Sequence, residues 1–158
     1  MAFGRKIYTL RRVQRMPITI EKAWEFFSNP ANLPEITPAA MKFRPTSPLP
    51  SKMYPGLLIM YTVSPILGIP LKWVTEITHI NEPKMFADEQ RFGPYKFWHH
   101  RHLFTPVTGG VEMEDIVNYA LPFDPYSRPA NSIMVRRTLE RIFDFRYDII
   151  KNKFGSLI

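Results

Sequence analysis

The sequence of 158 residues contains no cysteine. That excludes disulfides, thiol catalysis and cysteine-ligated zinc together. It is compatible with a reducing compartment, and a cytoplasmic location is expected. Glycine is scarce, with seven residues, several of them in turn sequences such as Gly93-Pro94 and Gly109-Gly110. There is no glycine-rich phosphate loop and no GxSxG elbow, so nucleotide binding and serine hydrolysis are not expected. Long apolar runs are missing as well. The longest, Leu57 to Leu71, is broken by Ser64, Pro65, Gly68 and Pro70, too short and too interrupted to span a bilayer. The first residues, MAFGRKIYTLRR, lack the apolar segment of a signal peptide. Dense charge runs are absent too. The net charge of +7 is spread along the chain, and its closest clusters, Arg11-Arg12 and Arg136-Arg137, are only pairs. That reads as a solvated basic surface and not as a nucleic-acid site. The same charge, with the apolar loop around Pro65 to Pro70, is compatible with transient contact with an anionic membrane.

What the sequence does have is apolar patterning. Hydrophobic residues make up 45% and aromatics 14%, a globular composition. The length suits one domain over residues 1–158. Period-two alternation predicts strands at 5–16, 57–64, 70–81, 84–92, 96–105 and 111–121, with a short one at Met41 to Arg44. Thr19 is a candidate N-cap for a helix whose apolar face holds Ala23, Phe26 and Phe27, with Trp24 at its edge. Pro30 to Ile36 can start a second short helix, and the proline-rich stretch 37–56 reads mostly as loop. Near the end, Val135, Leu139, Ile142, Phe143, Ile149 and Ile150 form one stripe of a helix from Asn131 to Lys153, interrupted by Arg146.

The predicted class is therefore α+β, in the order β-α-α-β6-α. A long antiparallel sheet of about seven strands has to curl to cover its face with one terminal helix. Space between a curved sheet and a helix is a natural ligand cavity. The expected partner is a small hydrophobic or amphipathic ligand, and the chain is expected to be a monomer or weak dimer.

The ionisable groups on the covered faces are the candidate site. Asp115 shares a face with Val111, Met113, Val117, Tyr119 and Leu121. His100 and His102 share one with Trp98 and Phe104. Asp88 and Gln90 share one with Phe86 and Phe92. Leu71, Trp73, Thr75, Ile77 and His79 form a further face, taken to be covered. Ionisable groups on a covered face must be paired, hydrated or used, because burying them bare costs several kcal/mol. His100 and His102 lie about 7 Å apart, two strand rises of ~3.3 Å. They could converge on a metal only if Asp115, Asp88 or His79 supplied a third ligand, so no metal or other cofactor is expected. His100 and Asp115 are the candidate acid–base pair, should any reaction be catalysed. Arg146 either turns outward along its stem or points into the cavity to meet an acid. The candidate ligand-binding set is Tyr61, Trp73, Thr75, Ile77, Phe86, Asp88, Gln90, Trp98, His100, His102, Asp115, Tyr119, Leu139, Phe143 and Arg146.

Four phrases carry a family resemblance: AWEFFSNPANLPEITP (23–38), FGPYKFWHHRHLFTPV (92–107), MEDIVNYALPF (113–123) and RIFDFRYDII (141–150). With the element order, they resemble the START-like, helix-grip superfamily also called SRPBCC. It includes Bet v 1-type allergens and the aromatase/cyclases of polyketide synthesis, and the likeness is to a bacterial branch of unassigned function. The resemblance implies a helix-grip fold and a deep pocket for a lipid, isoprenoid or aromatic polyketide-like molecule, closed by the last helix. It implies a carrier or sensor, or alternatively a cyclase, dehydratase or hydrolase using the same cavity. The helical two-His-one-Asp metal motif of the oxygenases that share the fold is not found here.

Overall fold

The computed structural model describes residues 6–65, 68–122 and 130–158. Strand β1, Tyr8–Met16, ends just before Pro17, and helix α1, Ile20–Phe27, begins three residues after that proline. Thr19 caps α1 as its sequence position predicts: its Oγ1 accepts from the Lys22 N–H at 3.2 Å. Trp24, expected at the edge of the apolar face, is buried with Ala23, Phe26 and Phe27.

The predicted second helix is only a 3₁₀ turn at Pro30–Asn32, followed by another at Ala39–Met41. Pro34 and Pro38 lack an N–H and clash with the preceding turn, so no α-helical ladder can grow through them. The short strand expected at Met41 to Arg44 shrinks to β2, Arg44–Pro45. Lys42 adopts a left-handed backbone with φ 47°, which turns the chain before pairing can start.

Five longer strands follow: β3 (Leu58–Val63), β4 (Leu71–Asn81), β5 (Met85–Phe92), β6 (Phe97–Val107) and β7 (Gly110–Ala120). All pair antiparallel in one seven-stranded sheet, ordered β1-β7-β6-β5-β4-β3-β2. Strands β2 to β7 are a meander, and β1 lies against its last member. The connection from β1 to β2 must therefore cross from one sheet edge to the other, and α1 with the two 3₁₀ turns makes that crossing. Gly110 lets β7 start tight against β1, because a Cβ there would stand 2.0 Å from the Met16 carbonyl oxygen.

The long helix α2, Ala130–Phe154, closes the curved sheet. Its buried positions are Leu139, Phe143, Arg146 and Ile150, one face at helical spacing. Gly155 ends it with φ 87°, its N–H donating to the Lys151 carbonyl at 2.8 Å. No described helix is long and apolar enough to cross a membrane. In the apolar loop around Pro65 to Pro70, Ile66 and Leu67 lie outside the described residues.

Alternation is uninterrupted from Phe97 to Phe104 in β6 and from Gly110 to Tyr119 in β7. Between β4 and β5 the register shifts at Val74/Thr75 and again at Ile77/His79. The second irregularity takes His79 off the covered face, and it is exposed. Phe92, expected beside Phe86, Asp88 and Gln90, is 70% exposed for the same kind of reason, at the end of β5 beyond the first shift.

Candidate functional site

Buried apolar side chains fall into two clusters. One contains Trp24, Phe27, Ile77, Phe86, Phe104, Met113 and Ile150. The other contains Val63, Trp73, Trp98, Val117, Tyr119, Leu139 and Phe143. A polar belt runs between them, one step per element. On β4 it is Thr75, between Ile77 and Trp73. On β6 it is His102 and His100, between Phe104 and Trp98. On β7 it is Asp115, between Met113 and Val117. On α2 it is Arg146, between Ile150 and Phe143. Asp88 joins it from β5, directly opposite His100 in the strand pairing. The period of two on strands and 3.6 on the helix brings these single polar positions to one level.

The belt is a closed ion cluster. His100 Nε2 is hydrogen-bonded with Asp115 Oδ1 at 3.0 Å, and His102 Nε2 with Asp88 Oδ2 at 3.1 Å, the tautomer of each ring setting where its proton lies. The remaining nitrogens face the opposite acids: His100 Nδ1 is 3.5 Å from Asp88 Oδ2, and His102 Nδ1 is 2.8 Å from Asp115 Oδ1. The second of these contacts is not aligned as a hydrogen bond, and His102 Nδ1 is a buried nitrogen without a hydrogen-bond partner. Arg146 Nη2 is 3.8 Å from Asp115 Oδ1, and its guanidinium lies over the rings of Phe27 and Phe143. Of the two outcomes expected for Arg146, the inward one holds. The Thr75 hydroxyl donates to Asp88 Oδ1 at 3.3 Å, close to the Glu89 carbonyl at 3.2 Å. The imidazoles are 3.8 Å apart between ring centres, and Phe86 stacks on His102 at 4.0 Å.

Charges this deep must compensate one another: His102 is 5% exposed, His100 and Asp115 6%, and Arg146 8%. Burial pushes the Asp115 carboxyl up, but the Arg146 charge, the His100 hydrogen bond and the close His102 imidazole hold it well below the usual carboxylate range. Burial likewise pushes Asp88 up, and the His102 hydrogen bond, the two imidazoles and Thr75 bring it lower than usual. The histidines part company. Burial and the neighbouring His102 lower His100 in spite of its acids. Burial also works against the charge on His102, but the close Asp115 carboxylate and the hydrogen-bonded Asp88 leave it raised. Burial, with Asp88 and Tyr95 nearby, pushes the Tyr61 phenol well above its ordinary value.

Asp88, His100, His102 and Arg146 border a cavity of about 190 Å³ between the sheet and α2. Its wall also includes Tyr61, Trp73, Thr75, Ile77, Phe86, Trp98, Leu139 and Phe143. Three residues of the sequence-derived set are not on that wall. Asp115 sits behind the histidines and holds them. Gln90 is committed to the β5–β6 turn, donating to the Tyr95 carbonyl at 2.7 Å and accepting from the Tyr95 N–H at 3.2 Å. Tyr119 faces a separate groove with Tyr8, Leu10 and Arg136.

Other wall residues escaped the sequence reading. Phe26 and Phe27 come from α1, and Leu33, Ile36, Met41, Phe43 and Met53 come from the crossing segment 30–53. Phe26 and Phe27 carried the helical period of α1, which gave their face but not its contact with the cavity; the crossing segment showed only apolar side chains scattered among prolines, with no period to assign them a face. Tyr95 is a further wall residue from the β5–β6 turn. The buried indole N–H of Trp73 has no hydrogen-bond partner among the described residues, so the aromatic part of the wall carries an unused donor.

No protein-family model matches the sequence, and neither does any curated protein. Solved structures do match over most of the chain. Ginseng major latex-like protein 151 from Panax ginseng aligns with TM-score 0.68 at 14% identity, covering 96% of this chain and 99% of that one. Protein Ms6760 from Mycobacterium smegmatis gives 0.66 at 17% identity, covering 91% and 88%. Ara h 8.0201 gives 0.65 at 13% identity, covering 94% and 97%. These likenesses define the fold: a Bet v 1-like helix grip, shared with bacterial proteins described as uncharacterised.

Proposed function

We propose that this chain binds a hydrophobic or amphipathic small molecule, of lipid, isoprenoid or aromatic polyketide-like character, as a carrier or sensor. The observation that carries this reading is the asymmetry of the cavity. Its walls are mostly aromatic and aliphatic, and its charged groups are gathered in one place, at Asp88, His100, His102 and Arg146, while Asn29, Asn32 and Thr37 on the wall direct side-chain hydrogen bonds to nearby backbone. Apolar walls contribute affinity without selecting a ligand, while a few convergent polar groups fix its orientation. The ligand therefore enters apolar part against the rings of Trp73, Trp98 and Phe143, with a hydroxyl or carbonyl at the ion cluster. The free indole N–H of Trp73 offers a second point for an oxygen acceptor. A volume of about 190 Å³ is below the ~300 Å³ of ordinary drug-sized sites, which favours a compact ring or a short chain.

Two of the three tryptophans line the cavity, so their fluorescence reports occupancy. Titration with a panel of cyclic and short-chain amphiphiles should give saturable one-site quenching. A Leu139→Phe/Ile142→Phe variant, which narrows the cavity from α2, should lose it by tenfold or more. Equal affinity in the narrowed variant would place the ligand elsewhere and refute the reading.

One observation favours a second reading. Asp88 and both imidazoles border the cavity with Asp115 behind them, the placement an acid–base enzyme of cyclase, dehydratase or hydrolase type needs. It expects product from the bound ligand, lost in His100→Gln/Asp115→Asn while ligand affinity persists. Saturable binding of the ligand without turnover in the wild type would remove it.

A further inference from the structure

We propose that Asp88, His100 and His102 form a binding site for a divalent first-row transition-metal ion, with Asp115 orienting the two imidazoles from behind. No metal was expected from sequence, because strand spacing alone cannot show convergence. The strand pairing supplies it. Asp88 Oδ2 lies 3.5 Å from His100 Nδ1 and 3.1 Å from His102 Nε2, and the three ligand atoms all lie within 4.8 Å of one another. Bonds of about 2.0–2.1 Å to a tetrahedral ion put neighbouring ligand atoms about 3.3 Å apart, so two of the three edges already have the required length.

Three further features fit a metal better than a plain ion pair. First, the far nitrogen of each imidazole faces one acid: His100 Nε2 is 3.0 Å and His102 Nδ1 2.8 Å from Asp115 Oδ1. A carboxylate on the distal nitrogen is the usual support of a metal-bound histidine, and it sets which nitrogen is free to ligate. In the tautomer that carries both imidazole protons on the nitrogens facing Asp115, His100 Nδ1 and His102 Nε2 turn their lone pairs to Asp88 Oδ2, and an ion between the three atoms takes the place of the proton that otherwise joins His102 Nε2 to that oxygen. Second, Asp88 and Asp115 bring two negative charges against the single fixed positive charge of Arg146, so the buried cluster accepts added positive charge, from a protonated imidazole or from a bound ion. Third, the cluster on its own leaves His102 Nδ1 without an aligned partner, a deficit that settling the ring on a metal and Asp115 would remove.

Asp88 is itself held by Thr75, whose hydroxyl donates to its other oxygen at 3.3 Å. The three ligands line the cavity and Asp115 does not, so the open coordination positions face the space a small molecule would enter. Two imidazoles and one carboxylate suit zinc, cobalt, nickel or ferrous iron and do not suit magnesium or calcium, which prefer all-oxygen shells. This inference does not depend on the hydrophobic-ligand reading, since it concerns the chain without any organic ligand.

The test is titration of the chelator-treated full chain with zinc and with cobalt, followed by calorimetry and by the visible spectrum of cobalt. One ion per chain is expected. His102→Gln and Asp88→Asn should each weaken binding 100-fold or more, and Asp115→Asn by 10–100-fold. His79→Gln/His99→Gln, which alters the two histidines outside the cluster, should leave affinity unchanged. X-ray absorption on the zinc-loaded wild type needs no variant to fold, and should show two imidazole nitrogens and at least one carboxylate oxygen at about 2.0–2.1 Å. No binding to the wild type, binding that survives His100→Gln/His102→Gln, or an absorption spectrum without imidazole would overturn the proposal. Any of those results leaves the cavity reading standing, because that reading is judged by fluorescence in the presence of chelator.

Discussion

Asp115 is the residue whose removal should hurt most. In the folded chain its Oδ1 is 3.0 Å from His100 Nε2, 2.8 Å from His102 Nδ1 and 3.8 Å from Arg146 Nη2. Asp115→Ala strands a buried guanidinium between Phe27 and Phe143 and leaves two imidazoles with only Asp88. Breaking a buried pair by deleting one partner typically costs about 3–5 kcal/mol, because the other charge stays desolvated. For a domain of this size each kcal/mol moves Tm by roughly 2–4 °C, so a loss of about 6–20 °C is expected in chelator-treated protein. The second arm is Asp115→Ala/Arg146→Met, which removes the stranded charge but keeps an apolar stem over the rings. It should recover at least about 1 kcal/mol relative to Asp115→Ala alone, within the range of coupling seen between contacting residues. Urea unfolding of the four proteins gives the cycle. A loss under about 1 kcal/mol for Asp115→Ala, or additive losses in the double variant, would mean that Arg146 does not answer Asp115 inside the fold.

Four further outcomes follow from the same structure. Asp115 and Asp88 have lowered folded-state values, so the stability they add is present above their unfolded value of about 3.9 and is lost as pH falls through the folded ones. Urea midpoints of metal-free protein should therefore fall steeply below about pH 4, and less steeply in Asp115→Ala; identical acid limbs would contradict this. The lowered His100 makes stability rise with pH up to about 6.5, and the raised His102 makes it fall as pH climbs from there through its folded value, so urea midpoints of metal-free protein should peak near pH 6.5; a midpoint that keeps rising through the neutral range would contradict this. Gly110→Ala places a Cβ 2.0 Å from the Met16 carbonyl oxygen and should cost at least about 1–3 kcal/mol by prising β1 from β7; a neutral effect in thermal melts would show that the β1–β7 approach is looser. Thr19→Ala removes the cap of α1 and should cost about 1 kcal/mol, with Thr19→Ser restoring most of it; equal stability of the two variants would refute the capping role.

The sheet was legible wherever strands keep an unbroken period. Along β7, Val111, Met113, Asp115 and Val117 are all inward as their parity predicts, and along β6 so are Trp98, His100, His102 and Phe104. The register irregularities on β4 and β5 are another matter. One extra residue exchanges faces, and nothing in the side chains near Ile77 announces it, so His79 was assigned to the covered face that it leaves. The stripe of α2 was readable, but whether Arg146 turns inward depends on what stands opposite it, and Asp115 lies some thirty residues away in sequence on β7. The crossing segment was the least readable. Prolines limit it to 3₁₀ turns, which have no apolar period, so Met41, Phe43 and Met53 gave no sign of reaching the cavity wall. Gln90 and Tyr119 share parity with wall residues, but the curl of the sheet turns one to the β5–β6 turn and the other to a groove near α2. Parity gives a side chain its face and does not give its position along a curved one.

The central claim is that the space between sheet and α2 holds a small amphipathic molecule. Native mass spectrometry of the wild type and of Leu139→Phe/Ile142→Phe, each purified from the same host and extracted to identify what is released, tests it most directly. The account predicts a stoichiometric compound with an apolar body and at least one oxygen function in the wild type, depleted tenfold or more in the narrowed variant. A wild type that stays empty across hosts and added amphiphiles, or a compound retained equally by both proteins, would contradict it.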